Sequence, residues 1–137
     1  MRRPMILLAV VSLAAGCGAL SEPVQLRTDD IACFAGGETG TTDTLLTDAA
    51  SGTRFAGLPV VWPNGYTAHR AGLDVVVVDA HGTVKAVTGR RYHISHAWAT
   101  SGEMNDESSY AAAVDCGYPW DFIDCTASPG NQYCKPS

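Results

Sequence analysis

The run Leu73-Asp74-Val75-Val76-Val77-Val78 constrains this chain more than any other stretch. Four consecutive valines are stiff at χ1, which disfavours helix and suits a pleated strand. Apolar residues on both parities are what a strand covered on both faces carries. Asp79-Ala80-His81-Gly82 follows. Asp opens a type I turn, and Gly accepts the positive φ that closes a hairpin bulge. Thr83 to Thr88 (TVKAVT) then returns as the partner strand. After a turn at Gly89-Arg90, Arg91 to Trp98 (RYHISHAW) reads as a third strand. One face carries Arg91, His93, Ser95 and Ala97. The other, more apolar, carries Tyr92, Ile94, His96 and Trp98.

The remaining elements are shorter. Thr44 to Thr47 (TLLT) and Leu58 to Trp62 (LPVVW) are strand candidates, and Pro59 and Pro63 confine the second to a sheet edge or to strand ends. Pro63-Asn64-Gly65 is a turn signal. Gly36-Gly37 to Thr42 and Ala49 to Gly52 read as loops. Asn105 to Val114 (NDESSYAAAV) is the one helix candidate, with Asn105 or Asp106 as cap, acids in the first turn and Gly117 beyond the end. From Gly117 to Ser137 there is no periodicity. The expected fold is mainly β, a small barrel or sandwich with at most one short helix and a C-terminal tail held by disulfides.

The N-terminus has a different character. Met1-Arg2-Arg3 is basic, and Met5 to Ala15 (MILLAVVSLAA) is a mostly apolar run of 11 residues. As a helix it would rise about 17 Å against a bilayer core of about 30 Å. It is too short to span and has the length and flanks of a secretory leader. Leu13-Ala14-Ala15-Gly16-Cys17 closes it. This segment resembles a bacterial lipoprotein signal with its lipobox; Ala14 stands where the family usually has leucine or a branched residue. The resemblance implies removal of residues 1–16 as a signal peptide, a diacylglyceryl group on the Cys17 thiol, and acylation, for example with palmitate, of its amine. It further implies an exported protein held by those chains to the outer face of a bacterial cell membrane, or to the outer membrane of a diderm cell. Two or more chains, each burying about 0.8 kcal/mol per CH2, give durable anchoring.

Five cysteines is an odd number, and an odd exported thiol needs a fate. Acylation of Cys17 leaves Cys33, Cys116, Cys125 and Cys134, which should pair in an oxidising compartment. Three connectivities are open and spacing alone does not choose among them; the expectation adopted is Cys33–Cys116 with Cys125–Cys134. Zinc sites favour close pairs such as C-x2-C, unlike the eight intervening residues found twice here. Without residues 1–16, 121 of the 137 residues remain. Residues 17–30 are read as a flexible tether. Residues 31–137 are read as a single domain of about 105 residues, with 115–137 an irregular tail.

The stretch Val60-Val61-Trp62-Pro63-Asn64-Gly65-Tyr66-Thr67, the hairpin after it and Gly89 resemble the small OB-type β-barrel domains of short bacterial envelope lipoproteins. There a Trp-Pro-x-Gly turn, a strand, an Asp-x-x-Gly turn and a strand ending at Gly follow in that order. The pattern continues in those domains into a glycine-rich loop, which here has the single Gly102. The resemblance implies an OB-like barrel and an envelope location, and no particular activity.

Loss of Arg2 and Arg3 takes the basic residues from nine to seven against fourteen acidic ones, formally −7. Such a domain repels nucleic acid and anionic headgroups. No G-x-S-x-G, H-E-x-x-H or P-loop occurs. His93 and His96 form H-x-x-H, but on a strand they face opposite sides and cannot share a metal; one exposed and one packed histidine is the expectation. No cofactor or metal is expected. A calcium site at Asp115, Asp121 and Asp124 would need six or more oxygens and has no EF-hand pattern. The sharpest feature is Asp115 to Cys125 (DCGYPWDFIDC), where acids alternate with aromatics between two cysteines. Tyr118, Trp120, Asp121, Phe122 and Asp124 are candidates to dock a saccharide or an envelope protein, the aromatics giving area at low entropy cost. In the plainer alternative Trp120, Phe122 and Ile123 plug the barrel mouth while Asp121 and Asp124 face water. The sequence thus points to a lipid-anchored, non-catalytic binding or accessory module. A secreted hydrolase using His and Asp residues, or a structural envelope spacer, is the alternative.

Overall fold

A computed structural model describes residues 22–33, 40–100 and 109–135. The leader and Cys17 lie outside them. The described strands are, in chain order, β1 (Pro23–Val24), β2 (Arg27–Asp29), β3 (Ile31–Ala32), β4 (Gly40–Thr44), β5 (Leu46–Asp48), β6 (Gly52–Phe55) and β7 (Leu58–Pro63). They continue as β8 (Thr67–Ala71), β9 (Asp74–Val78), β10 (Val84–Val87), β11 (Arg91–Ala99), β12 (Tyr110–Ala112) and β13 (Phe122–Asp124), and a 3-10 turn follows at Gln132–Cys134.

The valine run and its turn form as the residues dictate. Strands β8, β9 and β10 make an antiparallel meander, extended on its outer side by β1. At the β9–β10 turn the Asp79 carboxylate accepts the N–H groups of His81 and Thr83, both at 2.9 Å. Gly82 takes φ of 80°. The register slips between Val84 and Ala86, the bulge that this turn calls for. Coverage of β9 is less even than the valines suggest. Val75 and Val77 are buried, whereas Val76 and Val78, on the opposite face, are half-buried.

The other sheet is organised by β11. Its first half is flanked by β4 on one edge and β13 on the other, and its second half by β12 and β3. Strands β2 and β12 run parallel to β7, and β5, β6 and β7 are antiparallel neighbours. Trp62, Phe55, Leu45, Val60, Tyr92 and Ile94 from this sheet meet Val75, Val77, Ala68 and Ala86 from the meander in one core. Fully burying each large side chain contributes roughly 1.5–3 kcal/mol. The Trp62 indole N–H is satisfied in that core by Thr53 Oγ1 at 2.8 Å. Tyr110 packs edge-on against Phe55 and donates its hydroxyl to the Ile94 carbonyl. The chain is therefore mainly β with two disulfides, but the ladders among the described residues do not close into a barrel.

Four expectations need correction. The tether does not run to Asp30. Pro23–Val24 and Arg27–Asp29 are already paired with β8 and β7. Thr41 and Thr42 are not loop but lie in β4, where β-branched threonines pair with β11. The helix expected over Asn105–Val114 falls partly outside the described residues. Its end, Tyr110–Ala112, is a strand wedged between β7 and β11, long-range pairing overriding alanine's helix propensity. The tail is less irregular than expected, since β13 pairs with β11 at Tyr92–Ile94. The prolines of Leu58–Trp62 behave as ends rather than edge markers: Pro59 and Pro63 flank Val60–Trp62, and β7 has neighbours on both sides.

Candidate functional site

The two disulfides are Cys33–Cys116 and Cys125–Cys134, each with Cα atoms 5.5 Å apart. The first ties the start of the chain to the end of β12. Beside it, the Tyr66 hydroxyl donates to Asp115 at 2.6 Å, and Lys85 pairs with both Asp115 and Asp79. Burial, followed by the Asp115 hydrogen bond, pushes the Tyr66 phenol far above its ordinary pKa. The second disulfide folds residues 125–135 back over the start of β11.

The candidate docking loop is built into the fold more deeply than either sequence reading anticipated. Tyr118 and Trp120 stack at 5.1 Å, both half-buried. Phe122 stacks on the core residue Tyr92 at 5.0 Å. Asp121 does not face water. It is 5 % exposed, and its carboxylate caps the Tyr118 N–H at 3.1 Å while its carbonyl accepts the Ser95 N–H at 2.8 Å. Asp124 is also committed. Arg90 donates to it through Nη2 at 2.6 Å and Nε at 3.0 Å, and its other oxygen accepts the N–H groups of Thr126 and Ala127. Of the five loop candidates, Asp121 is buried, and Tyr118, Trp120, Phe122 and Asp124 are half-buried. Asp115, Asp121 and Asp124 each have separate partners. Among the described residues no three His, Cys, Asp or Glu side chains converge as metal ligands.

The histidines of H-x-x-H divide as strand geometry requires. His96 is exposed, edge-on to Tyr110 and Trp98. His93 is packed, only 7 % exposed, beneath a cleft of about 380 Å3 lined by Gly40, Thr41, Thr42, Arg91, His93, Tyr133 and Lys135. Three pieces of chain make this cleft. Arg91 and His93 share one face of β11, and opposite them in register stand Thr44 and Thr42 of β4. The tail supplies Tyr133, whose ring tilts against the imidazole at 5.4 Å, and Lys135 next to the bridged Cys134. The imidazole lies across Gly40, where a Cβ would come within 2.5 Å of Nε2.

The hydrogen bonds set the histidine's state. The Thr42 hydroxyl donates to the Tyr133 carbonyl at 2.7 Å, and its oxygen is 2.8 Å from His93 Nδ1. With its one proton spent on the carbonyl, Thr42 accepts from Nδ1–H, which leaves the lone pair on Nε2. Burial lowers the His93 pKa below its ordinary value, partly opposed by the Tyr133 backbone, so the ring is neutral near pH 7. A hydroxyl next to a histidine is half of a hydrolytic pair. Here the hydroxyl proton points to a carbonyl, and among the described residues no carboxylate hydrogen-bonds the ring. The arrangement holds a ring in place rather than activating a nucleophile.

Neither Arg91, Thr42, Tyr133 nor Lys135 stood out in the sequence. The one available signal was that Arg91 shares a strand face with His93. No family model, no curated protein and no solved structure matches the chain.

Proposed function

We propose that this chain is an exported protein of the cell envelope, anchored by acyl chains on Cys17, and that its β domain is a non-catalytic binding or accessory module. One observation carries the reading. The disulfides account for Cys33, Cys116, Cys125 and Cys134, and by count the cysteine left over is Cys17, directly after the apolar leader run. Paired disulfides fit an oxidising compartment outside the cytoplasm. No helix among the described residues is long and apolar enough to cross a membrane, which is compatible with a lipid as anchor. The OB-type barrel remains part of this proposal, resting on the resemblance of the residues Val60 to Gly89. The Tyr118–Trp120 pair and the His93 cleft are the two surfaces on which a partner would dock.

Cell fractionation tests the anchor. The wild-type protein should sediment with membranes, and Cys17→Ser should release it as a folded, disulfide-bonded chain. A wild-type protein in the soluble fraction, or a Cys17→Ser variant still on the membrane, would refute the reading.

A further inference from the structure

Four of the seven lysines and arginines among the described residues pair with the chain's own carboxylates. Arg54 pairs with Asp48, Arg70 with Glu22, Arg90 with Asp124, and Lys85 with Asp79 and Asp115; Arg27 donates to Ser109. Arg91 and Lys135 form no ion pair among the described residues, and both line the same cleft. No Asp or Glu is among the described residues that line the cleft. In a chain with fourteen acids and nine bases, two cations without an ion pair on one concave surface are a local excess of positive charge among the described residues.

The cleft is also built, not incidental. Cys125–Cys134 fixes the segment that carries Tyr133 and Lys135, and the Thr42–Tyr133 hydrogen bond fastens that segment to β4. Gly40 leaves room for the His93 ring, which lines the cleft beside the polar side chains of Thr41 and Thr42. Its volume, about 380 Å3, is in the range of a small-ligand site. Two cations above a neutral polar floor suit a group with several acceptor oxygens, because charge-assisted hydrogen bonds from Arg and Lys to such oxygens are the strong ones.

We propose that the cleft between β4, the start of β11 and the disulfide-held tail binds an oxyanion group, carboxylate or phosphate, of an envelope ligand, with Arg91 and Lys135 supplying the charge. The proposal deepens the binding-module reading and rests on it for the ligand's location.

The test is a titration of the oxidised full-length protein with inorganic phosphate and, separately, with acetate at low ionic strength, followed by amide shifts in NMR spectra. Saturable shifts should centre on Thr41, Thr42, Arg91 and Lys135, with half-saturation at about 1 mM for so small a probe. Arg91→Gln and Lys135→Gln should each weaken binding about tenfold. Lys85→Gln, which removes the same charge elsewhere, should change it little. Unperturbed amides away from the cleft will show that each variant folds. Saturation by phosphate alone identifies a phosphate-bearing ligand, by acetate alone a carboxylate, and by both a site that reads charge. Absence of saturation with either probe, or equal weakening by Lys85→Gln, overturns the site. Such a null would leave the Cys17 anchor untouched, since fractionation reads that separately.

Discussion

Gly40→Ala probes the floor of the cleft directly. An added Cβ would lie 2.5 Å from His93 Nε2, 2.9 Å from Cε1 and 3.0 Å from the Ile94 carbonyl oxygen. The first two contacts are inside any tolerated separation, and the ring cannot swing away freely. It is held by Thr42 at Nδ1 and covered by Tyr133. Forcing an extra carbon into a packed site costs about 1–3 kcal/mol. Against this, alanine restricts the unfolded chain and returns about 0.4–1 kcal/mol. From the middle of each range the net expectation is a loss of about 1.3 kcal/mol, which for a domain of this size lowers the thermal midpoint by roughly 5–10 °C. Denaturant unfolding gives the free energy, and a double-mutant cycle with His93→Ala assigns it. In the His93→Ala background the two closest contacts vanish, leaving only the Ile94 oxygen, so Gly40→Ala should cost less than half as much. If Gly40→Ala is neutral or stabilising, or costs the same with and without His93, the packing described for this cleft is wrong.

Replacing Cys33 and Cys116 by serine should cost about 4.6 kcal/mol and replacing Cys125 and Cys134 about 2.7 kcal/mol from the loops they close, a ranking that denaturant midpoints will check. His93 is held neutral, its folded pKa below the ordinary 6.5, so the unfolded chain takes up the proton first. Its contribution to stability is complete above about pH 6.5 and is lost as the pH falls toward the folded value; His93→Gln should flatten that part of the pH–stability curve. Asp121→Ala leaves the Tyr118 N–H without its cap and should cost about 1–3 kcal/mol, whereas Trp120→Ala should shift the midpoint less and act mainly on partner capture.

What could be read from the residues was local. The Asp79–Gly82 turn, the strands beside it and the opposite facing of His93 and His96 depend on a few neighbouring residues and on the two-residue period of a strand. Long-range choices were not legible. Tyr110–Ala112 looks helical by composition and becomes a strand where it pairs parallel to β7 and antiparallel to β11. Arg27–Asp29 looks like linker until β7 offers it an edge. The cleft combines Thr42, Arg91 and Lys135 from three distant parts of the chain, and nothing in their spacing announces the meeting. The acids at 121 and 124 looked free for a ligand because sequence shows charge but not the backbone N–H groups and the Arg90 side chain that consume it.

The central claim is the fate of Cys17, and the most direct measurement is the intact mass of the native protein extracted from cells, with its N-terminal peptide. The account predicts a chain that starts at Cys17 and carries diacylglyceryl and acyl mass, with the other four cysteines oxidised. A native chain that retains Met1, or one that begins with an unmodified Cys17 thiol, contradicts it.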